Sequence, residues 1–255
     1  MRFACLGSGS EGNGLLVEVG NTRVLVDCGF GLRDAVVRLR RLGVEPETLT
    51  AILVTHEHSD HIGGVAAYAA RYDTPVWLTF GTLSMVEERL SVLPHVRGFD
   101  SHDPFAIDDV NVEPFPVPHD AREPVQFVLS DGCWRLGILT DIGVSTVHVE
   151  ATLSGCDALL LECNHDVDML AQGDYPYPLK QRIAGRFGHL DNAAAADLLS
   201  RLDNSKLKHV FAAHLSQQNN TRELARAALA RALNCAPEWI GIAEQGDGFD
   251  WREFI

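Results

Sequence analysis

The chain has 255 residues, 46% of them hydrophobic, and a mean hydropathy of −0.01, so it carries enough apolar material for a folded core. Its formal net charge of −14 argues against broad, non-specific attraction to polyanions, although it does not exclude a nucleic-acid substrate. No apolar stretch approaches the ~18–20 residues that span a bilayer, so we expect no membrane partner.

Cysteine usage and the N-terminal residues indicate the compartment. Residues 1–7 are typical of a short strand that runs into a glycine loop, not of a signal peptide. The six cysteines are scattered without a Cys-x-x-Cys pair, and several lie in apolar segments, as reduced core thiols do. We therefore expect a cytoplasmic protein.

Apolar runs and helical patterns alternate along the chain, without repeats or an obvious interdomain linker. Predicted strands cover residues 2–6, 15–19, 23–27, 51–54, 75–79, 110–117, 125–129, 135–139, 158–161 and 209–213. Predicted helices cover residues 32–42, a segment from 64, 82–90, 144–153, 191–202 and 221–233. In the last helix, Asn220 is expected as N-cap with Glu223 three residues on. This interleaving predicts one α/β domain over residues 1–255, with two sheets stacked between helices.

The most informative segment is His-Glu-His-Ser-Asp-His at residues 56–61, which follows the apolar run 51–54. Imidazole nitrogens bind borderline ions such as Zn²⁺ well, and a carboxylate can take a second ion. His56 and His58 can point at one ion, whereas Asp60 and His61 follow the bend and can point at another. A solvated polar loop does not need three histidines and an aspartate in six residues, so the segment predicts a metal site.

Four more polar residues lie at or just after the ends of apolar strands, where an α/β fold presents its chemistry. They are His119, Asp141, Glu162 and His214. Each alone is more often a capping residue or a satisfied strand-end histidine. Two ions need about seven or eight protein ligands plus water, however, and three further residues beyond the hexapeptide complete that number.

Taken together, this pattern resembles the metallo-β-lactamase superfamily over essentially the whole chain. The resemblance implies an αββα sandwich, with two mixed β-sheets flanked by helices and a site at one edge between the sheets. It also implies ligands for two divalent ions and one bridging carboxylate. These are His56, His58 and His119 for the first ion, Asp60, His61 and His214 for the second, and Asp141 as the bridge. Asp27 matches the superfamily aspartate that orients the metal loop without binding metal.

Four further segments resemble a bacterial branch of the superfamily called YycJ/WalJ-like, which is linked to 5′→3′ DNA exonuclease activity. The segments cover residues 7–13, 161–166, 188–192 and 214–220. In the third, Asp191 replaces the usual serine, and either residue can cap a helix. The resemblance implies DNA as substrate and two Zn²⁺ or Mn²⁺ ions, between which the sequence does not decide.

The candidate catalytic residues are Asp60, through the second ion, together with His189 and Glu162. In the β-CASP nucleases, relatives within this superfamily, a strand-end carboxylate and a histidine precede the last metal ligand at similar spacing. By that resemblance, His189 protonates the leaving alkoxide, and Glu162 orients the His189 ring. The alternative is that His189 only stacks at a helix start.

Candidate phosphate contacts come first from the glycine-rich loop at residues 7–13. Ser8, Ser10 and Asn13 lie there, and exposed N–H groups in such a loop can cradle a phosphate. A tight turn between strands explains the glycines equally well. His165 follows Glu162 closely and is expected to line the site or to brace a ligand.

Basic and aromatic residues between 175 and 186 supply the remaining candidates. Lys180 and Arg182, with Arg186, could grip a nucleic-acid backbone or form a solvated helix face. Tyr175 and Tyr177 offer aromatic faces that could stack a base, although tyrosines beside prolines are also ordinary in loops.

Three functions stay open at this point: a two-metal DNA exonuclease, a small-molecule hydrolase, and a metal-binding scaffold with a vestigial site. The pair Glu162 and His189 and the basic residues favour the first. The acidity and the absence of an inserted nucleic-acid-clamping domain favour the second, which would be a cyclic-phosphate diesterase, thioesterase or lactonase. The complete ligand set argues against the scaffold. A monomer and a homodimer both remain open.

Overall fold

The computed structural model describes residues 1–254, with fourteen strands and nine helices. The strands are β1 (Arg2–Gly7), β2 (Gly14–Val19), β3 (Thr22–Val26), β4 (Ala51–Leu53), β5 (Val76–Thr79), β6 (Val96–Phe99), β7 (Phe105–Ile107), β8 (Val110–Pro116), β9 (Val125–Ser130), β10 (Arg135–Leu139), β11 (Ala158–Glu162), β12 (His209–Ala213), β13 (Gly241–Ile242) and β14 (Phe249–Glu253). The helices are α1 (Leu32–Arg41), α2 (Ser59–Ile62), α3 (Val65–Tyr72), α4 (Phe80–Leu90), α5 (Val147–Leu153), α6 (Val167–Gln172), α7 (Tyr177–Ile183), α8 (Asn192–Arg201) and α9 (Arg222–Leu233).

The strands form two mixed sheets of seven strands each, and both are built in the same way. The first has the order β14-β1-β2-β3-β4-β5-β6, and the second has the order β13-β12-β11-β10-β9-β8-β7. In the first sheet, neighbouring strands from β14 through β1 and β2 to β3 are antiparallel, and neighbouring strands from β3 through β4 and β5 to β6 are parallel. In the second, β7 to β10 pair antiparallel and β10 to β13 pair parallel.

Both faces of the central strands are buried, so these strands are apolar throughout and do not alternate with polar residues. In β1, Phe3 and Cys5 pack in the core between the two sheets, while Ala4 and Leu6 face the helices of the first sheet. Helices α1, α3 and α4 cover the first sheet, and α5, α8 and α9 cover the second. The predicted αββα sandwich is therefore confirmed. The two sheets share a core, as a single domain requires. The prediction of one domain stays a prediction.

Most predicted elements are present, with ends that shift by one to three residues. The sequence missed β6, β7, β13 and β14, which lie at or near the sheet edges, and the short helices α6 and α7. Elements of two to seven residues carry too few turns or alternations to show a period. Along residues 1–254, no helix is long and apolar enough to cross a membrane.

One predicted helix cap is wrong. Thr221, not Asn220, caps α9, because its side chain accepts a hydrogen bond from the N–H of Leu224. The Asn220 side chain instead exchanges hydrogen bonds with Asn192 at 2.8 and 2.9 Å. The segment expected as a loop before a helix also contains α2, so part of the histidine-rich hexapeptide is itself helical.

The backbone after β3 lies directly against the histidine-rich segment and fixes its position. The N–H of Cys28 donates to the carbonyl of His61, and the N–H of Gly64 donates to the carbonyl of Cys28, both at 2.8 Å. A Cβ on Gly29 would lie 1.8 Å from the carbonyl oxygen of Asp60. Only glycine allows this close approach of two backbones.

Replacement of Gly29 by alanine therefore forces the two segments apart. We expect Gly29→Ala to lower the free energy of unfolding by at least about 1–3 kcal/mol, the usual cost of overpacking, as measured by urea denaturation. Gly31→Ala is the matched control, because a Cβ on Gly31 meets no atom of residues 1–254 within 4 Å. Equal stability of the two variants would contradict this account of the packing.

Candidate metal centre

The chemistry-bearing residues of the sequence converge at one edge of the sandwich. They follow or end strands of both sheets, because carboxyl ends of parallel neighbours meet at the same edge. The residues are Asp27 after β3, the segment 56–61 after β4, His119 after β8, Asp141 after β10, Glu162 at the end of β11 and His214 after β12.

Three imidazoles form the first group of ligand atoms. The Nε2 of His56 lies 3.0 Å from the Nδ1 of His58, which lies 3.3 Å from the Nε2 of His119. A tetrahedron of nitrogens at ~2.0–2.1 Å from an ion has edges of roughly 3.3 Å, so the spacing fits one divalent ion.

Asp60, His61 and His214 form the second group. The Oδ2 of Asp60 lies 3.4 Å from the Nε2 of His61 and 3.6 Å from the Nε2 of His214. The four groups of candidate ligand atoms in residues 1–254 overlap, since His56, His61 and Asp141 also converge.

Asp141 lies between the two groups. Its Oδ2 is 3.1 Å from the Nε2 of His61, and its Oδ1 is 3.8 Å from the Nε2 of His119. Oδ2 is buried and accepts no hydrogen bond from residues 1–254. An unsatisfied buried carboxylate oxygen is costly unless a cation is present, and this one lies where both groups can share it.

Each of the five histidines uses its outer ring nitrogen in a hydrogen bond, which fixes the tautomer. The outer contacts are His56 Nδ1 to Thr55 Oγ (3.0 Å), His58 Nε2 to the Asp120 carbonyl (3.2 Å), His61 Nδ1 to Asp27 Oδ2 (2.7 Å), His119 Nδ1 to the Gly188 carbonyl (3.0 Å) and His214 Nδ1 to the Thr140 carbonyl (2.8 Å). A nitrogen facing such an acceptor carries a proton, so in a neutral ring the inner nitrogen presents its lone pair. Inner lone pairs 3.0–3.3 Å apart repel unless a cation lies among them, and the residues therefore fit divalent ions.

Burial and Asp141 set the charges of the clustered side chains. Burial lowers the pKa of His56, and it lowers the pKa of His119 to about 4, so both rings are neutral, as ligands must be. Burial opposes ionisation of Asp141, but the charges of His214 and His61 outweigh it and hold the pKa well below its usual value. The same contacts raise the pKa of His214 to about 9 against the effect of burial. Metal binding at this side therefore has to displace protons.

A carboxylate–imidazole pair stands beside these groups. The Oε1 of Glu162 lies 2.7 Å from the Nδ1 of His189, and its Oε2 accepts hydrogen bonds from the N–H groups of Ile142 and Leu190. Burial and the neighbouring His214 lower the pKa of His189 to about 4. His189 is therefore a neutral, oriented imidazole at the wall of the cleft.

The cleft above these groups has a volume of about 410 Å³. Asp60, Asp141, His189 and His214 line it, and so do Ser10, Arg182 and Tyr175. Asp120 was missed by the sequence analysis, although its position directly after His119 was a usable signal. Its carboxylate pairs with Arg182 at 2.5 Å at the rim, and its carbonyl fixes His58.

The side chains of Ser8 and Asn13 form hydrogen bonds inside the protein, and the suggested phosphate contact of this loop stays a prediction. Both are buried, and the Ser8 hydroxyl donates to Asn13 Oδ1 at 3.1 Å and accepts from the N–H of His214 at 3.0 Å. The Asn13 amide lies 3.1 Å from His61 Nε2. Through these hydrogen bonds, Ser8 and Asn13 support the backbone of His214 and the ring of His61. Of the loop candidates, only Ser10 lines the cleft.

The basic cluster of the sequence is split by α7. Arg182 lines the cleft, Lys180 lines a second cavity with His165, and exposed Arg186 lines neither. Helical residues two positions apart point in different directions, so Lys180 and Arg182 cannot share one face. His165 is buried, and its Nδ1 lies 3.3 Å from Asn164 Oδ1. It belongs to none of the ligand groups found within residues 1–254.

Comparison with known proteins agrees with the fold and the ligand groups. The family described as "Beta-lactamase superfamily domain" matches residues 22–214. The chain belongs to the metallo-β-lactamase superfamily. It is 35% identical over 246 residues to the exodeoxyribonuclease YycJ of Bacillus anthracis, covering 96% of this chain and 92% of that protein. It is 33% identical over 249 residues to the exodeoxyribonuclease WalJ of Streptococcus pneumoniae, covering 94% and 91%.

A solved structure supports the fold independently of these sequences. The metallo-β-lactamase fold protein YhfI from Bacillus subtilis superposes with a TM-score of 0.76 at 17% identity, over 99% of both chains. As a member of the metallo-β-lactamase superfamily with YycJ and WalJ as relatives, the chain is a hydrolase, and its histidine and aspartate groups are suited to divalent metal ions.

Asp27 gives a test of the ligand geometry that leaves every ligand in place. Asp27→Asn keeps the shape and tolerates the positive φ of 60° at this position, but it removes the charge that fixes His61. We expect metal affinity to fall about 10–100-fold, measured by competition with a chromophoric chelator. Asp34→Asn on α1, which removes an exposed carboxylate paired with Arg38, should leave the affinity unchanged. Unchanged affinity in Asp27→Asn would contradict the role of Asp27.

Proposed function

We propose that this chain is a phosphodiesterase that holds two divalent ions and degrades DNA from the 5′ end. The observation that carries the proposal is the pair of converging ligand groups joined at Asp141, with the pair Glu162 and His189 at the wall of the same cleft. The names of YycJ and WalJ, which match over most of their lengths, support DNA as the substrate.

In this proposal His56, His58 and His119 would hold the first ion, Asp60, His61 and His214 would hold the second, and Asp141 would serve both. When bound, Zn²⁺ or Mn²⁺ would supply Lewis acidity for the phosphoryl group and a nucleophilic water near neutral pH. The protein contributes rigidity. The outer hydrogen bonds of the rings hold the ligand atoms in position before substrate arrives, so little reorganisation is needed during the reaction.

The cleft residues position the substrate. Arg182 carries a guanidinium at the rim, where it can contact a phosphate next to the scissile one. Its partner Asp120 holds it there, and Ser10 lines the same cleft as a neutral hydrogen-bonding group. In this proposal the leaving oxygen of the scissile diester lies on the side of the cleft that His189 lines.

His189 is the proposed proton donor to the leaving alkoxide. Its Nδ1 is held by Glu162, so Nε2 is free for the cleft. The lowered pKa of His189 keeps the ring neutral, and the negative charge of a bound phosphodiester favours its protonated form. Glu162 is buried, and its Oε1 lies 2.7 Å from the Nδ1 of His189, so it orients the ring.

A small-molecule hydrolase remains the second candidate. Among the cleft-lining residues within 1–254, Arg182 is the only lysine or arginine, whereas Asp60, Asp120 and Asp141 all line the cleft. This scarcity of cations and the net charge of −14 favour a short substrate such as a cyclic phosphate over a long polyanion.

We also propose a reducing compartment such as the cytoplasm. All six cysteines are free thiols, and Cys5, Cys28, Cys156 and Cys163 are buried in the core. Burial raises the pKa of Cys5 to about 12, which keeps this thiol protonated and unreactive.

The two candidate functions are separated by one assay. Linear double-stranded DNA with a 5′-phosphate, incubated with Mn²⁺ or Zn²⁺, should lose nucleotides stepwise from the 5′ end, followed with 5′- and 3′-labelled strands. The Asp60→Ala/His61→Ala variant should be inactive, because it removes two ligands of the second ion. The matched control is His102→Ala/Asp103→Ala, an exposed neighbouring pair outside the ligand groups. Intact DNA with rapid hydrolysis of a cyclic nucleotide would assign the protein to the small-molecule group.

The role of His189 is tested by the leaving group. His189→Ala should retain its metal and slow release of a nucleotide about 10²–10⁴-fold, the usual contribution of general acid catalysis. The same variant should hydrolyse bis(p-nitrophenyl) phosphate at close to the wild-type rate, because p-nitrophenolate leaves without a proton. An equal loss on both substrates would show that His189 acts elsewhere than on the leaving oxygen.

A further inference from the structure

A second cavity of about 720 Å³ lies between α6, α7 and α8, beside the metal cleft. We call it the α6–α7 cavity. Much of its wall is apolar and comes from Val167 and Leu170 of α6, Leu190, and Ala194 of α8. Cavities of this size with apolar walls and a few polar groups are typical of small-molecule sites.

Tyr175 and His189 line both the α6–α7 cavity and the cleft. His189 is the same ring that Glu162 holds at 2.7 Å, so the cavity begins next to the proposed proton donor. A nucleobase is one sugar removed from its phosphate. A phosphodiester in the cleft therefore brings the base of an adjoining nucleotide to the entrance of this cavity.

The chemistry of the walls fits a flat, heteroaromatic group. Tyr175 and Tyr177 supply aromatic faces, and Tyr177 is 71% exposed, so its ring is free to stack. Base–aromatic stacking tolerates any base, because every base has a π-face. This suits an enzyme that must accept each nucleotide of a strand in turn.

Polar groups at the cavity match the edge of a base. His165 is 3% exposed, and within residues 1–254 only its Nδ1 has a hydrogen-bond partner, Asn164 Oδ1. Its second ring nitrogen is uncommitted in a wall of the cavity. Gln181 lines the same cavity and holds the Tyr177 hydroxyl at 2.9 Å, which leaves its amide oxygen available. Nucleobases offer both donors and acceptors at such distances.

We propose that the α6–α7 cavity binds the nucleobase of the nucleotide next to the scissile phosphodiester. The proposal rests on the proposed nuclease function and names the part of the substrate that this function requires at the site. It also gives separate roles to the two faces of α7, since Arg182 faces the phosphate in the cleft and Tyr177 faces the base.

Binding is tested without any hydrolysis. The fluorescence of 2-aminopurine deoxyriboside, which carries no phosphate, should be quenched by the wild-type protein as the base stacks. Tyr177→Phe keeps the ring and should keep the quenching, whereas Tyr177→Ala should weaken binding roughly tenfold. Ala171→Trp, which fills the cavity from exposed α6, should abolish it. Absence of quenching in the wild type, or equal quenching in all four proteins, would overturn the proposal.

Activity provides the second arm. Oligonucleotides with a base or an abasic residue at either position flanking the first phosphodiester are compared by kcat/KM. The wild type should prefer the base at one of these positions by roughly tenfold, mainly through KM, and Tyr177→Ala should lose this preference while Tyr177→Phe retains it. Equal rates with and without the base would overturn the proposal. If no DNA is degraded but quenching persists, the nuclease function fails and the nucleobase site stands.

Discussion

The buried carboxylate of Asp27 is the interaction on which the site depends. It lies at the end of β3 with a positive φ of 60°, and its two oxygens accept hydrogen bonds from the backbone N–H and the hydroxyl of Thr55 and from His61. The Thr55 hydroxyl oxygen in turn accepts a hydrogen bond from the Nδ1 of His56. One charge on the first sheet therefore orients a ring in each of the two ligand groups. The close contact of the Gly29 backbone with the Asp60 carbonyl helps to hold the same segment in position.

This arrangement explains why so dense a group of polar side chains is tolerated in a buried position. Histidines within 3.0–3.3 Å of one another and a buried aspartate would destabilise an ordinary core. Here the outer nitrogens are satisfied by carbonyls, a hydroxyl and a carboxylate, while the inner nitrogens point toward one another and toward Asp141 Oδ2, which accepts no hydrogen bond from residues 1–254. Inner nitrogens and an unsatisfied carboxylate oxygen that converge in this way are the property of a metal centre and not of a folding defect.

Local patterns in the sequence were sufficient to predict two stacked sheets and to locate the candidate ligands, whereas the division of the ligands between two ions came from the resemblance to the superfamily and stays a prediction. Apolar runs followed by a histidine or an aspartate identify strand ends, and the hexapeptide at 56–61 carries four ligand types in six residues. The roles of Ser8 and Asn13 could not be predicted, since their partners Asp60, His61 and His214 are distant along the chain. The division of Lys180 from Arg182 was hidden for a different reason. It depends on α7, a seven-residue helix that is too short to show a period.

The ligand groups draw on both halves of the sandwich, and this has a mechanical consequence. His56 and His58 extend from the first sheet, His119 from the second, and the second group likewise joins Asp60 and His61 to His214. An ion bound by either group would cross-link the two sheets at their open edge, much as a disulfide joins distant parts of a chain. Bound metal would then hold the two sheets together, and the resistance of this edge to unfolding would increase with the metal concentration in the cell.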